Sequence, residues 1–278
     1  MHAIDVEEAV ILGALEGLTE FLPISSTGHL RIAQGMLGIP VDLPSVIGFT
    51  AVVQAGAIAA LLLHFIRDLF RLGRAWGRGL VIREERRSRD YQLAWWLILA
   101  TIPIVVAGVL LEGLITGPMT SLWVVAGSLL AGSALMWFAE HRARFERGER
   151  DIRMKDVLIV GTAQILALVF PGFSRPGATI STGLLLNLDR VTATRLSFML
   201  SIPAMTAGAV YEVRDALGHP HLVMPLVVGT AVSFVVAYAS VAWLLRFVTR
   251  HSFKGFAIYR VVVGLALIGL LTSGVLPG

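Results

Sequence analysis

Apolar residues run in long blocks along this chain instead of recurring at every third or fourth position. Six blocks, near 45–66, 93–112, 119–139, 192–212, 222–245 and 256–276, carry few charges, and each approaches the ~20 residues a helix needs to cross a bilayer. Two further apolar stretches, 4–38 and 153–188, are interrupted by polar, proline-containing loops: Pro23-Ile24-Ser25-Ser26-Thr27-Gly28-His29 and Pro171-Gly172-Phe173-Ser174-Arg175-Pro176-Gly177. Non-helical backbone at membrane depth survives only where protein or a watery cavity satisfies it. The pattern therefore predicts an all-α polytopic membrane protein, with six full transmembrane helices and two re-entrant helix–loop–helix hairpins.

The two interrupted stretches resemble each other. At an offset of 148 residues Gly13 falls on Gly161, Glu16 on Gln164, Pro23 on Pro171 and Ser26 on Ser174. Each hairpin precedes three spans, and an odd number of crossings inverts the second copy relative to the first. The expectation is one membrane domain over 1–278, built from inverted repeats at about 1–148 and 149–278, with the site at their interface.

Composition agrees with the blocks. Of the 278 residues 56% are hydrophobic and only 15% charged, against about a quarter charged in soluble domains; the mean hydropathy is +0.77. There is no cysteine, which excludes disulfides, thiolate metal sites and cysteine nucleophiles. Asp5, Glu7 and Glu8 precede any basic residue, unlike the positive start of a secretory signal. The net charge of +4 does not point to nucleic acid, because the arginines cluster between apolar blocks, where they would meet lipid headgroups. Segment 67–91 holds eight arginines, 140–155 five and Lys155, and 246–254 Arg246, Arg250 and Lys254, whereas 112–119 and 213–221 hold only Arg214. The positive-inside rule makes the first three segments cytoplasmic. Threading the spans accordingly opens the first hairpin outward and the second inward.

Chemistry concentrates in the two loops. Glu16 and Glu20, four residues apart, share one helix face amid Leu12, Leu15, Leu18 and Phe21,. Two carboxylates at membrane depth demand a partner, and a divalent cation, Mg2+ or Ca2+, bound with substrate phosphate oxygens, would supply one. Ser25, Ser26 and Thr27 offer hydroxyls and a helix N-terminus to an anion, although Ser and Thr also serve as ordinary helix caps. His29 suits acid–base work or nucleophilic attack on phosphorus. Arg175 has no acidic neighbour in sequence until Asp189, and its guanidinium matches phosphate oxygens in a two-pronged grip. Gly172, Ser174 and Thr179 complete the candidate phosphate-binding set. His219 and His221 flank Pro220 without a third ligand, His64 fits an interfacial position, and the charged run from Arg83 to Asp90 reads as a solvated loop.

Glu16-Gly-Leu-Thr-Glu20-Phe-Leu-Pro-Ile-Ser-Ser-Thr-Gly-His29 and Pro171-Gly-Phe-Ser-Arg175 closely resemble the two signature motifs of the bacterial undecaprenyl pyrophosphate phosphatases, the bacitracin-resistance family. Further resemblance runs through Phe49 to Ile58, Ser197 to Pro203, and Phe256-Ala-Ile-Tyr-Arg260. It implies removal of the terminal phosphate of undecaprenyl pyrophosphate at the outer face of the plasma membrane, which recycles the lipid carrier of peptidoglycan precursors. It further implies that Glu16 and Glu20 are the family's paired acids, Ser26 and His29 its loop catalysts, and Arg175 its phosphate-binding arginine. Pro176 and Thr50 depart from the family pattern, where a serine and an acidic residue are usual. Partners are thus a polyprenyl pyrophosphate and membrane lipids. Whether His29 or Ser26 attacks, and whether the chain forms a homodimer, is left open by the sequence. The competing reading is a transporter of polyprenyl phosphate lipids, which inverted repeats would also suit.

Overall fold

The computed structural model describes residues 4–41, 43–115, 121–216 and 223–276. Helices dominate, and they begin where local chemistry starts them. Asp5 and Glu8 form a reciprocal capping box, with Glu8 N–H donating to Asp5 at 2.8 Å and Asp5 N–H to Glu8 at 3.0 Å, which opens α1 (Val6–Thr19),. Ser25 caps α2 (Ser26–Leu37), a proline in the first turn opens α3 (Pro44–His64), and α4 (Ile66–Val81) follows at once. Ser88 caps α5 (Arg89–Leu110), a single turn α6 (Glu112–Ile115) comes next, and Ser121 caps α7 (Leu122–Arg142). The second half runs α8 (Met154–Thr162), α9 (Gln164–Val169), α10 (Arg175–Leu185), α11 (Arg190–Ala216), α12 (Val223–Phe247) and α13 (Lys254–Thr272). Among the described residues there is no strand, only an isolated bridge between Arg147 and Leu188.

Both apolar stretches with polar interruptions are broken helices. α1 stops at Thr19 and α2 starts at Ser26; α8 and α9 meet at Ala163, and α10 starts at Arg175. Among the described residues five helices, lying in α3, α5, α7, α12 and α13, are long and apolar enough to cross a membrane. The block at 192–212 lies in the 27-residue α11, where Thr192, Thr194, Ser197 and Ser201 are all buried. His219 and His221 lie outside the described residues.

Small residues let the helices approach closely. Gly13 and Gly17 of α1 meet the α12 backbone at Gly229 and Ser233, Gly56 of α3 meets Thr230, and Gly161 of α8 meets Ala100 of α5. A Cβ at any of these positions would collide with backbone, the packing logic of helices that associate in lipid. α1 packs on α12 and α3, and α10 on α7 and α11, so both broken elements sit against full-length helices.

The basic segment 67–91, for which the apolar blocks predict no element, contains the sixteen-residue α4 and a 3-10 turn at Glu84–Arg87. Leu72 and Gly79 face inward, with Gly79 against the Tyr91 ring, while Arg67, Arg71, Arg74 and Arg78 stay exposed. The apolar positions recur at helical spacing, a signal the arginine count obscured.

Two ion pairs brace the segment between α7 and α8 and its surroundings, Arg147 pairing with Asp156 of α8 and Arg190 of α11 with Glu140 of α7. Asp156, fully buried, takes the Arg147 guanidinium and caps α8 by accepting the Arg153 N–H at 2.8 Å. Arg147 also donates to the carbonyls of Leu186 and Asp151, and Arg190 pairs with buried Glu140 while stacking over Phe145. Removing one partner of such a pair strands the other. Asp156→Ala should cost about 3 kcal/mol of stability, read as a lowered thermal unfolding midpoint in detergent; an unchanged midpoint would show the pair to be dispensable.

Candidate active site

Both broken loops end in the same unusual turn. Ser25 (φ 79°) and Ser174 (φ 70°) occupy the left-handed region, rare for residues other than glycine,. Each then caps the following helix through its hydroxyl, Ser25 accepting the Gly28 N–H at 3.2 Å and Ser174 the Gly177 N–H at 3.1 Å. Ser174 is therefore the counterpart of Ser25, and Arg175 that of Ser26. The sequence offset of 148 had lined Ser26 up with Ser174. The second loop carries one extra residue, Gly172, at φ 98°, where a side chain would strike the Val125 carbonyl.

The N-termini of α2 and α10 face a single polar cavity of about 50 Å³, lined by Glu20, Ser25, Ser26, Thr27, Gln54, Ala167, Gly172, Ser174, Arg175 and Pro176. First-turn amides have no intrahelical acceptor and carry the positive end of the helix dipole, so two such ends aimed at one space form an anion site. A larger groove of about 730 Å³ between α7 and α13 is nearly all apolar, with Ser133 and His141 its only polar residues. It holds no reactive set.

Within the polar cavity Ser26 donates its hydroxyl hydrogen to the Glu20 carboxylate. Glu16 lies one turn behind, buried, with Glu20 and Gln54 as its polar neighbours and Arg175 near enough to act on it electrostatically. Oε1 of Glu16 has no hydrogen-bond partner, and neither has Nη1 of Arg175, although both atoms are buried. Unsatisfied buried polar atoms are costly, and here a carboxyl and a guanidinium are both left so beside one cavity. Gln54 stands ten residues from either end of α3 (54 − 44 and 64 − 54), about 15 Å along the helix. The cavity thus lies near the middle of a spanning helix.

The structure does not bring every expected residue to this cavity. His29 lies outside its lining. Its Nδ1 faces the Ser25 carbonyl at 2.7 Å, its Nε2 faces the Tyr259 hydroxyl at 2.8 Å, and the two rings stack. Thr179 is fully buried and bonds the Arg175 carbonyl at 2.8 Å and the Ser197 hydroxyl at 2.6 Å, away from the cavity. Ser25 and Ser174 line the cavity but spend their side-chain oxygens on capping. Thr50, the departure noted above, bonds the Val46 carbonyl at 3.0 Å and receives Gln34 at 3.4 Å.

Sequence reasoning passed over three residues. Gln54 and Tyr259 were polar positions inside spans. The third is Arg260, a buried arginine in the middle of an apolar run. Its Nη1 donates to the Pro23 carbonyl at 3.3 Å, and its Nη2 lies 2.8 Å from the Phe173 carbonyl, 3.2 Å from Gly172 and 3.4 Å from Ser128. An ionisable residue inside a span signals function by default, and that rule would have singled it out.

Comparison with known proteins agrees with the motifs. The bacitracin resistance protein BacA family matches residues 9–266. The chain is 60% identical over 276 residues to a Streptomyces coelicolor protein named undecaprenyl-diphosphatase 1, covering 99% of each chain. It is 61% identical over 274 residues to the Frankia alni protein of the same name, again over 99% of each. An Acidothermus cellulolyticus undecaprenyl-diphosphatase is 49% identical over 267 residues, 96% of each. With its first loop, its second loop and nearly its whole length matched, this chain belongs to the BacA bacitracin resistance protein family.

Proposed function

We propose that this multi-pass membrane protein hydrolyses undecaprenyl pyrophosphate to undecaprenyl phosphate and inorganic phosphate, with Ser26 as nucleophile. The observation that carries the assignment is the Ser26–Glu20 hydrogen bond inside a cavity that also holds Arg175. A serine hydroxyl is a weak nucleophile unless an adjacent base accepts its proton. Ser26 attacks the terminal phosphorus, its proton passes to Glu20, and the bond from phosphorus to the bridging oxygen breaks. Glu20 hands that proton to the departing polyprenyl monophosphate, which leaves as a monoanion. A water then attacks the phosphoserine and passes a proton to Glu20, which returns it to the Ser26 oxygen as the bond from phosphorus to that oxygen breaks and inorganic phosphate leaves. Arg175 and the two helix N-termini neutralise charge on the transferring group. His29 has both ring nitrogens engaged, which favours a supporting role, holding the first turn of α2 through the Ser25 carbonyl.

The paired acids fit a divalent cation. Glu16 keeps an unpartnered buried oxygen beside Glu20, while among the described residues no third acidic or histidine ligand joins them. Glu16 and Glu20 would hold Mg2+ or Ca2+ with phosphate oxygens completing its shell. When bound, the ion supplies charge stabilisation to the phosphoryl group. Transport of a polyprenyl phosphate would give the Ser26–Glu20 pair nothing to do.

The same reading includes six full spans, α11 being the sixth, with re-entrant hairpins in two inverted repeats. Its support is packing: α1 lies on α12 as α8 lies on α5, each through a glycine, and the Ser25 and Ser174 turns match. The basic ends of α3, α7 and α12 are cytoplasmic in this arrangement, and the first hairpin opens to the outer face.

Purified protein in detergent should release phosphate from a prenyl pyrophosphate only with a divalent cation present. Ser26→Ala should lower kcat by at least about 1,000-fold, as loss of a catalytic nucleophile does, and Glu16→Gln should remove the cation dependence together with most of the activity. Turnover at the wild-type rate in either variant would refute its assigned role. For orientation, Arg78→Cys in this cysteine-free chain should resist an impermeant thiol reagent in intact cells and react after permeabilisation. Labelling in intact cells would invert the topology.

A further inference from the structure

We infer that Arg260 is a positioning residue for phosphoryl transfer: its guanidinium locks the two broken loops together and aims the Ser174 peptide N–H at the phosphate. This inference rests on the phosphatase reading above. Arg260 is fully buried on α13, outside the lining of the polar cavity, and its four hydrogen-bond partners are all backbone carbonyls. Pro23 belongs to the loop carrying Ser26, whereas Gly172 and Phe173 belong to the loop carrying Arg175. Ser128 adds an anchor on α7. One rigid, planar fork thus spans the junction across which nucleophile and phosphate-binding arginine must be aligned.

The slot around the guanidinium is made by absent side chains. A Cβ on Gly132 of α7 would collide with Nη2, and one on Gly177 of α10 would collide with Nη1. Peptide geometry then transmits the orientation. In a trans peptide the C=O and the following N–H point in opposite directions. With the Phe173 carbonyl turned to Arg260 at 2.8 Å, the Ser174 N–H points away from the guanidinium, and Ser174 borders the cavity. The guanidinium also suits this task better than an ammonium, since its donors are fixed in one plane.

A residue that merely stabilised the fold would predict activity in proportion to the amount of folded protein. Positioning predicts something else. Arg260→Met removes a buried cation that has no acidic partner, which offsets part of the cost of leaving its four carbonyls unpaired,. The experiment compares wild type, Arg260→Met, Arg260→Lys and Gly132→Ala in detergent, reading thermal unfolding together with kcat and KM for phosphate release from farnesyl pyrophosphate. Arg260→Met is expected to fold and to lose about 100-fold in kcat, the scale of roughly an ångström of misplacement, with KM much less affected. Arg260→Lys should recover part of the loss, because an ammonium donates to the same carbonyls. Gly132→Ala, which replaces no loop residue and presses chiefly on the guanidinium, with the Phe173 carbonyl next at 3.0 Å, should lower kcat in the same direction. If the arginine variants do not fold, Gly132→Ala decides alone. Wild-type kcat in the folded variants, a loss confined to KM, or activity that only follows the folded fraction would overturn the proposal. Wild-type protein that releases no phosphate would sink the phosphatase reading, and this proposal with it; active wild type with unaltered variants would sink this proposal alone.

Discussion

Two helices broken in the middle of an apolar bundle create the problem that the rest of this structure solves. Each break exposes carbonyls that water cannot reach, and a buried unpaired carbonyl is costly. Arg260 meets the carbonyls of both breaks with one guanidinium, through Pro23, Gly172 and Phe173. Carbonyls drawn to one side leave the amide ends of α2 and α10 facing the other. The same backbone polarity that makes the breaks expensive thereby furnishes an anion site.

The chemistry depends on that asymmetry. The two loops share a backbone turn at Ser25 and Ser174, yet the next residue differs: Ser26 in the first, Arg175 in the second. In the proposed reaction one loop brings a hydroxyl hydrogen-bonded to the Glu20 carboxylate, and the other brings the countercharge for phosphate. Neither loop alone holds both. Glu16 and Glu20 have Gln164 and Leu168 as their counterparts at the sequence offset, so the acidic pair also occurs once. Duplication followed by divergence at these few positions would turn a symmetric scaffold into a single catalytic centre.

Much of this was legible in the sequence because the membrane makes patterns coarse. Long apolar blocks became long helices, and the polar interruptions at Pro23 and Pro171 became the breaks. The acid pair, Ser26 and Arg175 stood out against apolar neighbours, and the structure gathers Glu20, Ser26 and Arg175 on one cavity. Finer features were less legible. The register of the loops slipped by one residue because the second loop is one residue longer, and an offset count cannot see an insertion. The helix α4 in segment 67–91 went unnoticed because its arginines outweighed a helical apolar spacing. Thr179 and His29 stand outside the cavity lining, held by Ser197 for one and Tyr259 for the other. Those contacts join residues far apart in the chain, and no local pattern encodes them.

The central claim is that Ser26, activated by Glu20, forms a covalent phosphoenzyme within this shared cavity. Rapid quenching of the protein with a prenyl pyrophosphate labelled in its terminal phosphate tests it most directly, with the attachment site read by peptide mass spectrometry under both acid and alkaline conditions. The account predicts acid-stable phosphoserine at Ser26, absent from the Ser26→Ala variant. Acid-labile label on His29, or turnover with no protein-bound phosphate at any quench time, would contradict it.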